Sequence, residues 1–278
     1  MKATIIITSF NKEAFLKEAI ESALNQSYDN FELLIIDDGS TDNSQQVIKE
    51  FQDPRITTIF KENEGVIKTR NRAIKEAKGQ YIVQLDGDDI LGKDFLQKTI
   101  PEIENNSTVG IVYCATKLFG AKDKIWDLGE YSIEKQLTTN QIVITALFKK
   151  DDFLKTNGYN QDFSEGLEDW DFWLSLIELG IEVKQLNDVE FYYRILPDSR
   201  NNFTKEKEER IKNLIWKNHK ELYAKYITSP ANLLWEIYAL ESKIKDLNYY
   251  KNSRAFKIGD SLLNIPRKFK SIFSSNNS

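Results

Sequence analysis

Short apolar runs alternate with amphipathic segments over the first hundred residues of the chain. The runs are rich in β-branched residues and predict buried strands within residues 3–10, 31–40, 56–63 and 81–86. The segments between them repeat apolar residues at helical spacing and predict helices within 11–27, 41–53 and 66–79, with Asn11 capping the first helix and Gly79 stopping the third. Repeated strand–helix units indicate an α/β fold with a mostly parallel sheet and helices on both faces.

The pattern is less regular after residue 108. It predicts strands within 109–119, 142–150 and 189–195 and a helix within 168–180, and it is mostly helical from about residue 204 onward.

Polar residues follow several of the predicted parallel strands. In such sheets, ligands bind beyond the carboxyl ends of the strands, so these residues should converge on one rim. They are Thr8, Ser9, Asn11, Asp37, Asp38, Asp86, Asp88 and Asp89.

The amino-acid composition limits which partners and catalytic groups are possible. The net charge is −5, from 38 basic and 43 acidic residues, which gives no reason to expect nucleic acid as a partner. One cysteine and one histidine exclude a disulfide framework and His-rich or multi-cysteine metal sites, and they disfavour a Ser-His-Asp triad. Acid–base chemistry therefore falls to carboxylates. No signal-peptide pattern and no apolar run near ~20 residues is present, so we expect a cytoplasmic protein.

The segment 81–95, YIVQLDGDDILGKDF, is an apolar run that ends in three carboxylates within four positions. Carboxylates this close repel one another and usually share a cation. Mg²⁺ or Mn²⁺ bound by one or two of them would grip a diphosphate. The alternative is a surface turn, for which Asp-Gly-Asp-Asp is also suitable.

Two further acid clusters have competing explanations. One carboxylate of the pair Asp37 and Asp38 could accept a hydrogen bond from a nucleotide base or a ribose hydroxyl. Alternatively, Asp38 or Ser40 could cap the following helix, and the two roles can coexist on different residues. In the segment 165–180, acids surround two tryptophans; the acids could only complement the helix dipole, or the aromatic rings could raise the basicity of a carboxylate and stack on a sugar.

The segments 4–44, 63–89 and 158–176 together resemble family 2 glycosyltransferases with the GT-A fold. The resemblance covers about residues 3–200, in order. It implies a Rossmann-like, mostly parallel central sheet flanked by helices, and an inverting transferase that uses a nucleotide-diphosphate sugar, most commonly a UDP-sugar. It also implies a glycan or lipid-linked acceptor.

The resemblance assigns the donor side as follows. Thr8 and Asp38 contact the base, and Ser9, Phe10 and Asn11 form the wall of its pocket. Lys68 or Arg70 lies near the nucleotide or its phosphates. Asp86, followed by Gly87, approaches the ribose or the metal, and Asp88 is the principal ligand of Mn²⁺ or Mg²⁺.

The resemblance assigns the reacting side to the segment 168–173. Asp169 is the catalytic base, Glu168 supports it, and Asp171 is the fallback. Trp170, Asp171 and Trp173 are expected at the acceptor or sugar. Tyr193 and Arg194 match the family's loop over the diphosphate, but Leu196 stands where a histidine is common, so Arg194 or Arg200 would supply positive charge instead.

The chain is expected to divide into a GT-A catalytic domain, 1–203, a helical extension, 204–250, and a basic amphipathic tail, 251–278. Leu233, Ile237, Leu240, Ile244 and Leu247 form a short heptad seam, which suits either a homodimer or packing on the catalytic domain. The tail carries a net charge of +5 over 251–273 with interleaved apolar residues. It suits the inner face of the cell membrane, or else it covers an apolar patch or is disordered.

Two other functions fit parts of the pattern. One is a catalytically silent nucleotide- or carbohydrate-binding module of the same fold, although such a module would not need both acid clusters. The other is a sugar-phosphate nucleotidyltransferase, which would be expected to show a Gly-rich phosphate loop after the first strand; the segment 8–15 has none.

Overall fold

The computed structural model describes residues 1–196, 204–226 and 229–257. These residues belong to two compact units, Met1–Leu222 and Tyr223–Ser278. The predicted domain boundaries at residues 203 and 250 remain predictions, because a division into compact units does not show which residues form a catalytic domain.

The first half of the larger unit is a parallel sheet with intervening helices. Strand β1 pairs in parallel with β2 and β4, and β2 pairs in parallel with β3. Every residue of β1 and β2 is buried, as expected for strands covered on both faces. The elements are β1 (Ala3–Ser9), α1 (Leu16–Leu24), β2 (Phe31–Asp37), α2 (Ser44–Lys49), β3 (Ile56–Phe60), α3 (Val66–Glu76) and β4 (Tyr81–Asp86).

The second half extends the same sheet with mixed pairing. The strand order is β3-β2-β1-β4-β8-β6-β9-β5, with β7 beside β6. Strand β8 is antiparallel to both β4 and β6, and β9 is parallel to β6. The elements are β5 (Ile90–Leu91), α4 (Phe95–Asn105), β6 (Val109–Gly120), β7 (Lys124–Trp126), α5 (Ile133–Gln136), β8 (Ala146–Lys149), α6 (Lys150–Phe153), a 3₁₀ turn (Gln161–Phe163), α7 (Glu168–Glu178), β9 (Glu182–Ile195), α8 (Lys205–Asn218) and α9 (Lys220–Tyr226).

The sheet curls back on itself beside the acid turn. Strand β5 begins directly after Asp89, and it pairs antiparallel with β9 rather than continuing β4. This pairing brings the carboxyl end of β9 next to the carboxyl end of β4.

The structure corrects the predicted start of the first helix. Helix α1 begins at Leu16, and Asn11 is not its cap. Asn11 has a positive φ of 52°, and its side-chain oxygen accepts a hydrogen bond from the backbone N–H of Thr41 at 2.8 Å. An Asx side chain can bond to a neighbouring loop as readily as to its own helix, which explains the error.

Two other local predictions are corrected. Helix α3 ends at Glu76, before Gly79. A Cβ on Gly79 would lie 2.4 Å from the backbone of Ala3, so glycine is needed there for close approach to β1. The strand predicted over 142–150 is limited to Ala146–Lys149. Residues 142–145 form a loop, at whose end the backbone N–H of Ala146 donates to the oxygen of Ile144 at 3.1 Å.

Helix α8 is tied to α7 through the single histidine of the sequence. The ring nitrogens of the buried His219 lie 3.1 Å from Asp171 Oδ1 and 3.0 Å from Glu178 Oε1. Burial opposes the charged ring, but hydrogen bonds to the two carboxylates raise the pKa of His219 above its ordinary value. Asn218 donates to the same Asp171 oxygen at 2.9 Å.

The smaller unit contains helix α10 (Pro230–Asn252), which begins at the cap Ser229. The five predicted seam residues lie along this helix with exposed side chains. Among the described residues, no helix is both long enough and apolar enough to span a membrane. Most of the predicted tail, residues 258–278, lies outside the described residues, so the tail and the homodimer stay predictions.

The raised pKa of His219 predicts how stability depends on pH. A protonated ring favours the folded state, so its contribution is complete below the unfolded-state pKa of about 6.5 and is lost as pH rises through the higher folded-state pKa. We expect the free energy of unfolding, measured by urea denaturation, to fall more steeply with pH between these two pKa values in the native protein than in His219→Gln. Parallel curves for the two proteins would show that the contacts of His219 with Asp171 and Glu178 do not stabilise the folded state in this pH range.

Candidate active site

A cavity of about 790 Å³ lies at the carboxyl ends of β1, β2 and β4. The predicted convergence of the rim residues is confirmed for residues from all three strand ends, but Asn11 and Asp37 are not part of the lining. The start of α7 and the end of β9 close its other side. Of the residues assigned a role or a rim position from the sequence, those lining the cavity are Thr8, Ser9, Phe10, Asp38, Arg70, Asp86, Gly87, Asp88, Asp89, Glu168, Asp169, Trp170, Tyr193 and Arg194.

The two acids that end β2 have different surroundings. Asp37 is fully buried and accepts hydrogen bonds from Ser40 N and Gln45 Nε2, both at 2.9 Å, so it holds the turn after β2. Helix α2 begins only at Ser44, and neither Asp38 nor Ser40 caps it.

Asp38 faces the cavity and orders its wall. Its carboxylate accepts from the backbone N–H groups of Glu64 at 2.9 Å and Gly65 at 3.0 Å, and it forms an ion pair with Lys61. A carboxylate has about four lone-pair sites, so one remains for a ligand. Asn11, by contrast, bonds to the neighbouring loop and is not part of the cavity lining.

Arg70 joins the two acid clusters of the cavity. Its guanidinium lies 2.7 Å from Asp86 Oδ1 and 2.5 Å from Glu168 Oε1, and only 2% of its side chain is exposed. The alternative candidate, Lys68, is exposed and outside the lining. Because helical neighbours two positions apart point in different directions, only one of the two can face the cavity.

The acid turn after β4 is compensated by positive charge from this chain. The Lys12 ammonium group pairs with Asp88, whose side chain is 16% exposed. Asp89 is buried and accepts from the backbone N–H of Arg194 at 2.8 Å. Burial, with the neighbouring Asp86 and Asp88 charges, raises the pKa of Asp89 well above its ordinary value.

Arg194 holds the acid turn instead of projecting toward a phosphate. Its guanidinium carbon lies 4.6 Å and 4.2 Å from the ring centres of Phe15 and Phe119. Its Nε donates to the backbone oxygen of Asp88 at 2.7 Å, and its terminal nitrogen pairs with Glu18. The other predicted cation, Arg200, lies outside the described residues.

Asp169 lies at the start of α7 with its carboxylate oriented by two donors. Asn140 Nδ2 donates to Oδ2 at 3.0 Å, and the backbone N–H of Trp170 donates to Oδ1 at 2.9 Å. Burial and the neighbouring Glu168 charge together raise the pKa of Asp169 to about 7, although Arg70 opposes the shift. A carboxyl with this pKa exchanges a proton readily near neutral pH.

Two residues predicted to contact the sugar lie away from the cavity. Asp171 bonds to His219, and Trp173 is fully buried with its ring 5.1 Å from that of Phe172. Residues 169 and 171 differ by about 200° around a helix, so they cannot share one face. Trp170 reaches the cavity lining, but its indole N–H donates to the backbone oxygen of Gln136 at 2.7 Å and its ring is almost entirely buried.

A set of side-chain amides beside Asp169 was not predicted from the sequence. Gln136 Nε2 donates to Asn140 Oδ1 at 3.2 Å, and Gln136 Oε1 accepts from the backbone N–H of Gln141 at 2.8 Å. Both glutamines are almost fully buried. Asn140 and Gln141 directly precede the strand predicted within 142–150. They belong to no periodic pattern, so no signal in the sequence indicated their role. Lys12 and Trp126, which also line the cavity, were missed as well.

The donor chemistry of the acid turn fits an oxygen-preferring divalent ion. Within the described residues no group of three or more His, Cys, Asp or Glu could hold a metal alone. Mg²⁺ and Mn²⁺ commonly take one or two protein carboxylates and complete their shell with phosphate and water. Asp89 Oδ2 is buried and has no hydrogen-bond partner among the described residues. The site therefore suits a divalent ion whose ligands are shared between one or two protein carboxylates and a diphosphate, and not an ion coordinated by protein side chains alone.

Comparison with known families agrees with this geometry. The family model described as "Glycosyl transferase family 2" matches residues 4–164, more than half of the chain. The chain belongs to this family. A second model, described as "N-terminal domain of galactosyltransferase", matches residues 133–197, which include the start of α7.

Curated relatives include two synthases from Pasteurella multocida. A chondroitin synthase (strain Pm70) and a hyaluronan synthase are each 32% identical to the family 2 chain over 199 residues, which is 69% of this chain and 20% of theirs. A chondroitin synthase from Escherichia coli is 30% identical over 199 residues, 29% of its length. The chain thus matches about a fifth to three tenths of these relatives.

Solved structures show the same fold. Residues 1–349 of S. aureus TarS in complex with UDP-GlcNAc have a TM-score of 0.67 at 18% identity, covering 78% of this chain and 66% of that one. The mannosyltransferase PcManGT from Pyrobaculum calidifontis, in complex with GDP-Man and Mn²⁺, has a TM-score of 0.56 at 16% identity, covering 95% and 87%. The predicted GT-A fold is confirmed.

The central position of Arg70 predicts a large effect on stability. Arg70→Gln leaves Asp86 and Glu168 without their shared counter-charge, so we expect the free energy of unfolding to fall by about 3 kcal/mol or more. The matched control is Arg72→Gln on the exposed face of the same helix, which should cost about 0.5 kcal/mol or less. Urea denaturation measures both. Equal effects in the two variants would show that the bridge does not organise the site.

Proposed function

We propose that this family 2 member transfers a sugar, with inversion, from a nucleotide-diphosphate sugar to a hydroxyl of a glycan or lipid-linked acceptor. The observation that carries the proposal is the Arg70 bridge, which brings the acid turn after β4 and the Asp169 end of α7 into one cavity. A metal-binding turn by itself would also be compatible with a binding module that does not catalyse a reaction. The presence of Asp169, with a pKa of about 7, in the same cavity favours an enzyme.

The donor side is the part of the cavity lined by Thr8, Ser9, Phe10 and Asp38. The half-exposed ring of Phe10 suits stacking on a base, and Asp38 keeps one acceptor position for a base N–H or ribose hydroxyl. UDP is the favoured nucleotide, since TarS shares the fold and was solved with UDP-GlcNAc. PcManGT was solved with GDP-Man, so the fold alone does not decide the base.

Asp88 is the residue that would hold Mn²⁺ or Mg²⁺ in this proposal, with Asp86 beside it. When bound, the ion supplies Lewis-acid stabilisation of the departing diphosphate. Lys12 now neutralises Asp88, and it would be released to contact a phosphate oxygen. Arg194 keeps the turn in place through the backbone of Asp88.

Asp169 is the proposed general base. Its carboxylate removes the proton of the acceptor hydroxyl, whose oxygen attacks the anomeric carbon on the face opposite the diphosphate and inverts it. Asn140 fixes the direction of the carboxylate. Because the acid is ionised only above its pKa of about 7, the competent fraction of the free enzyme increases as pH rises through neutrality.

We also propose that the protein acts at the inner face of the cell membrane. The support is the sequence of the tail, 251–278, whose basic and apolar residues suit an anionic surface.

The assignment of Asp169 predicts a separation of binding from transfer. Asp169→Asn keeps the shape and the hydrogen bond from Asn140 but cannot accept a proton, so we expect transfer to fall by about 10²–10⁴-fold while nucleotide binding is retained. A panel of UDP-, GDP- and dTDP-sugars with Mn²⁺ gives binding by thermal shift and turnover by nucleotide release.

The control for this variant is Asp162→Asn, an exposed carboxylate in the 3₁₀ turn upstream of α7. It should behave as the native protein in both assays. Near-normal turnover in Asp169→Asn would refute the assignment of the base.

A further inference from the structure

We propose that Trp126 and Tyr193 form a platform for a sugar ring of the acceptor, so that the acceptor is recognised as a glycan. The inference rests on the proposed transferase function and names the substrate class for the far side of the same cavity. Trp126 was assigned no role from the sequence, and Tyr193 was expected in the loop over the diphosphate, not at a sugar.

The two rings come from neighbouring parts of the sheet. Trp126 ends β7, where it pairs with Thr116 of β6, and Tyr193 lies on β9 opposite Leu118 of β6. Their ring centres are 5.5 Å apart with planes inclined at 46°. Both are half-buried and line the cavity. The fully buried Phe191 packs edge-on against Tyr193 at 6.2 Å and supports it from the core side.

Two neighbouring side-chain amides, of which Gln141 is buried, connect the Trp126 segment to the proposed base. Gln141 Nε2 donates to the backbone oxygens of Leu128 at 2.9 Å and Glu130 at 3.2 Å, just beyond the end of β7. The adjacent Asn140 donates to Asp169 at 3.0 Å. Two consecutive residues therefore fix the aromatic segment and the catalytic carboxylate relative to each other.

The position of the rings favours the acceptor over the donor nucleotide. The proposed base-binding residue Asp38 follows β2, and strand order separates β2 from β6 by β1, β4 and β8. Four strand spacings correspond to about 19 Å. In a single displacement the acceptor must approach opposite the departing diphosphate, and Asp169, which receives its proton, is tied to the Trp126 side of the cavity.

The chemistry of this side suits a pyranose. The C–H face of a sugar ring packs on aromatic rings, and its hydroxyl groups bond to amides and to a carboxylate. A cavity of 790 Å³ is near the upper end of the range of about 300–1,000 Å³ for small-molecule sites, which leaves room for an acceptor ring beside a nucleotide-sugar.

The test uses the full chain with saturating UDP and Mn²⁺. Cellotriose, maltotriose and triacetylchitotriose are titrated separately, and binding is followed by saturation-transfer NMR and calorimetry. We expect the native protein to bind at least one of them, Trp126→Ala to bind it about fivefold or more weakly, and Trp126→Phe to stay close to native. The control Trp235→Ala, an exposed tryptophan of α10, should have no effect.

Three results would overturn the platform: no trisaccharide binds the native protein, Trp126→Ala binds as tightly as the native protein, or Trp126→Ala also loses the thermal shift with UDP and Mn²⁺. The last would place the ring on the donor side. Absence of any nucleotide response in the native protein is a different result, because it contradicts the proposed function itself.

Discussion

The site depends on one buried guanidinium between two carboxylates. Arg70 comes from α3, Asp86 from the end of β4 and Glu168 from the start of α7, so three elements distant in sequence meet at one charge. A buried charge that loses its partner costs several kcal/mol, and the fold can satisfy Arg70 only by keeping all three elements together. The proposed donor end and the proposed base therefore line one cavity.

Other charges of the cavity are also paired within the chain. Lys12 neutralises Asp88, and Lys61 neutralises Asp38. In the proposed function these pairs differ from the Arg70 bridge: a divalent ion would exchange with Lys12, and a base or ribose donor would take the remaining position of Asp38 beside Lys61. Such an arrangement would let the cavity tolerate its acids and accept the charged donor of the proposed reaction.

The parallel half of the sheet could be predicted because parallel strands buried on both faces consist of continuous runs of apolar, often β-branched residues. The rim acids followed from the rule that such strands place their carboxyl ends together. The orientation of α7 could not be read in the same way. That helix buries Trp170, Asp171, Phe172 and Trp173 in succession, so it has no polar stripe to show which acid faces the cavity.

Residues whose role depends on tertiary contacts were also beyond a single sequence. Arg194 was expected at a phosphate, but the curl that pairs β5 with β9 places it between two phenylalanines and against the acid turn. The amides Gln136, Asn140 and Gln141 lie in a loop without periodicity, and their importance appears only when their partners are known. These contacts orient the carboxylate of the proposed base and hold the segment that carries Trp126.

The most direct test is a crystal structure with Mn²⁺ and the nucleotide-sugar that gives the largest thermal shift, using anomalous scattering to locate the metal. The account predicts Mn²⁺ against Asp88 with Lys12 displaced, the diphosphate on the metal, and the Asp169 carboxylate facing the anomeric carbon from the opposite side. A nucleotide bound outside this cavity, or Asp169 turned away from the anomeric carbon, would contradict it.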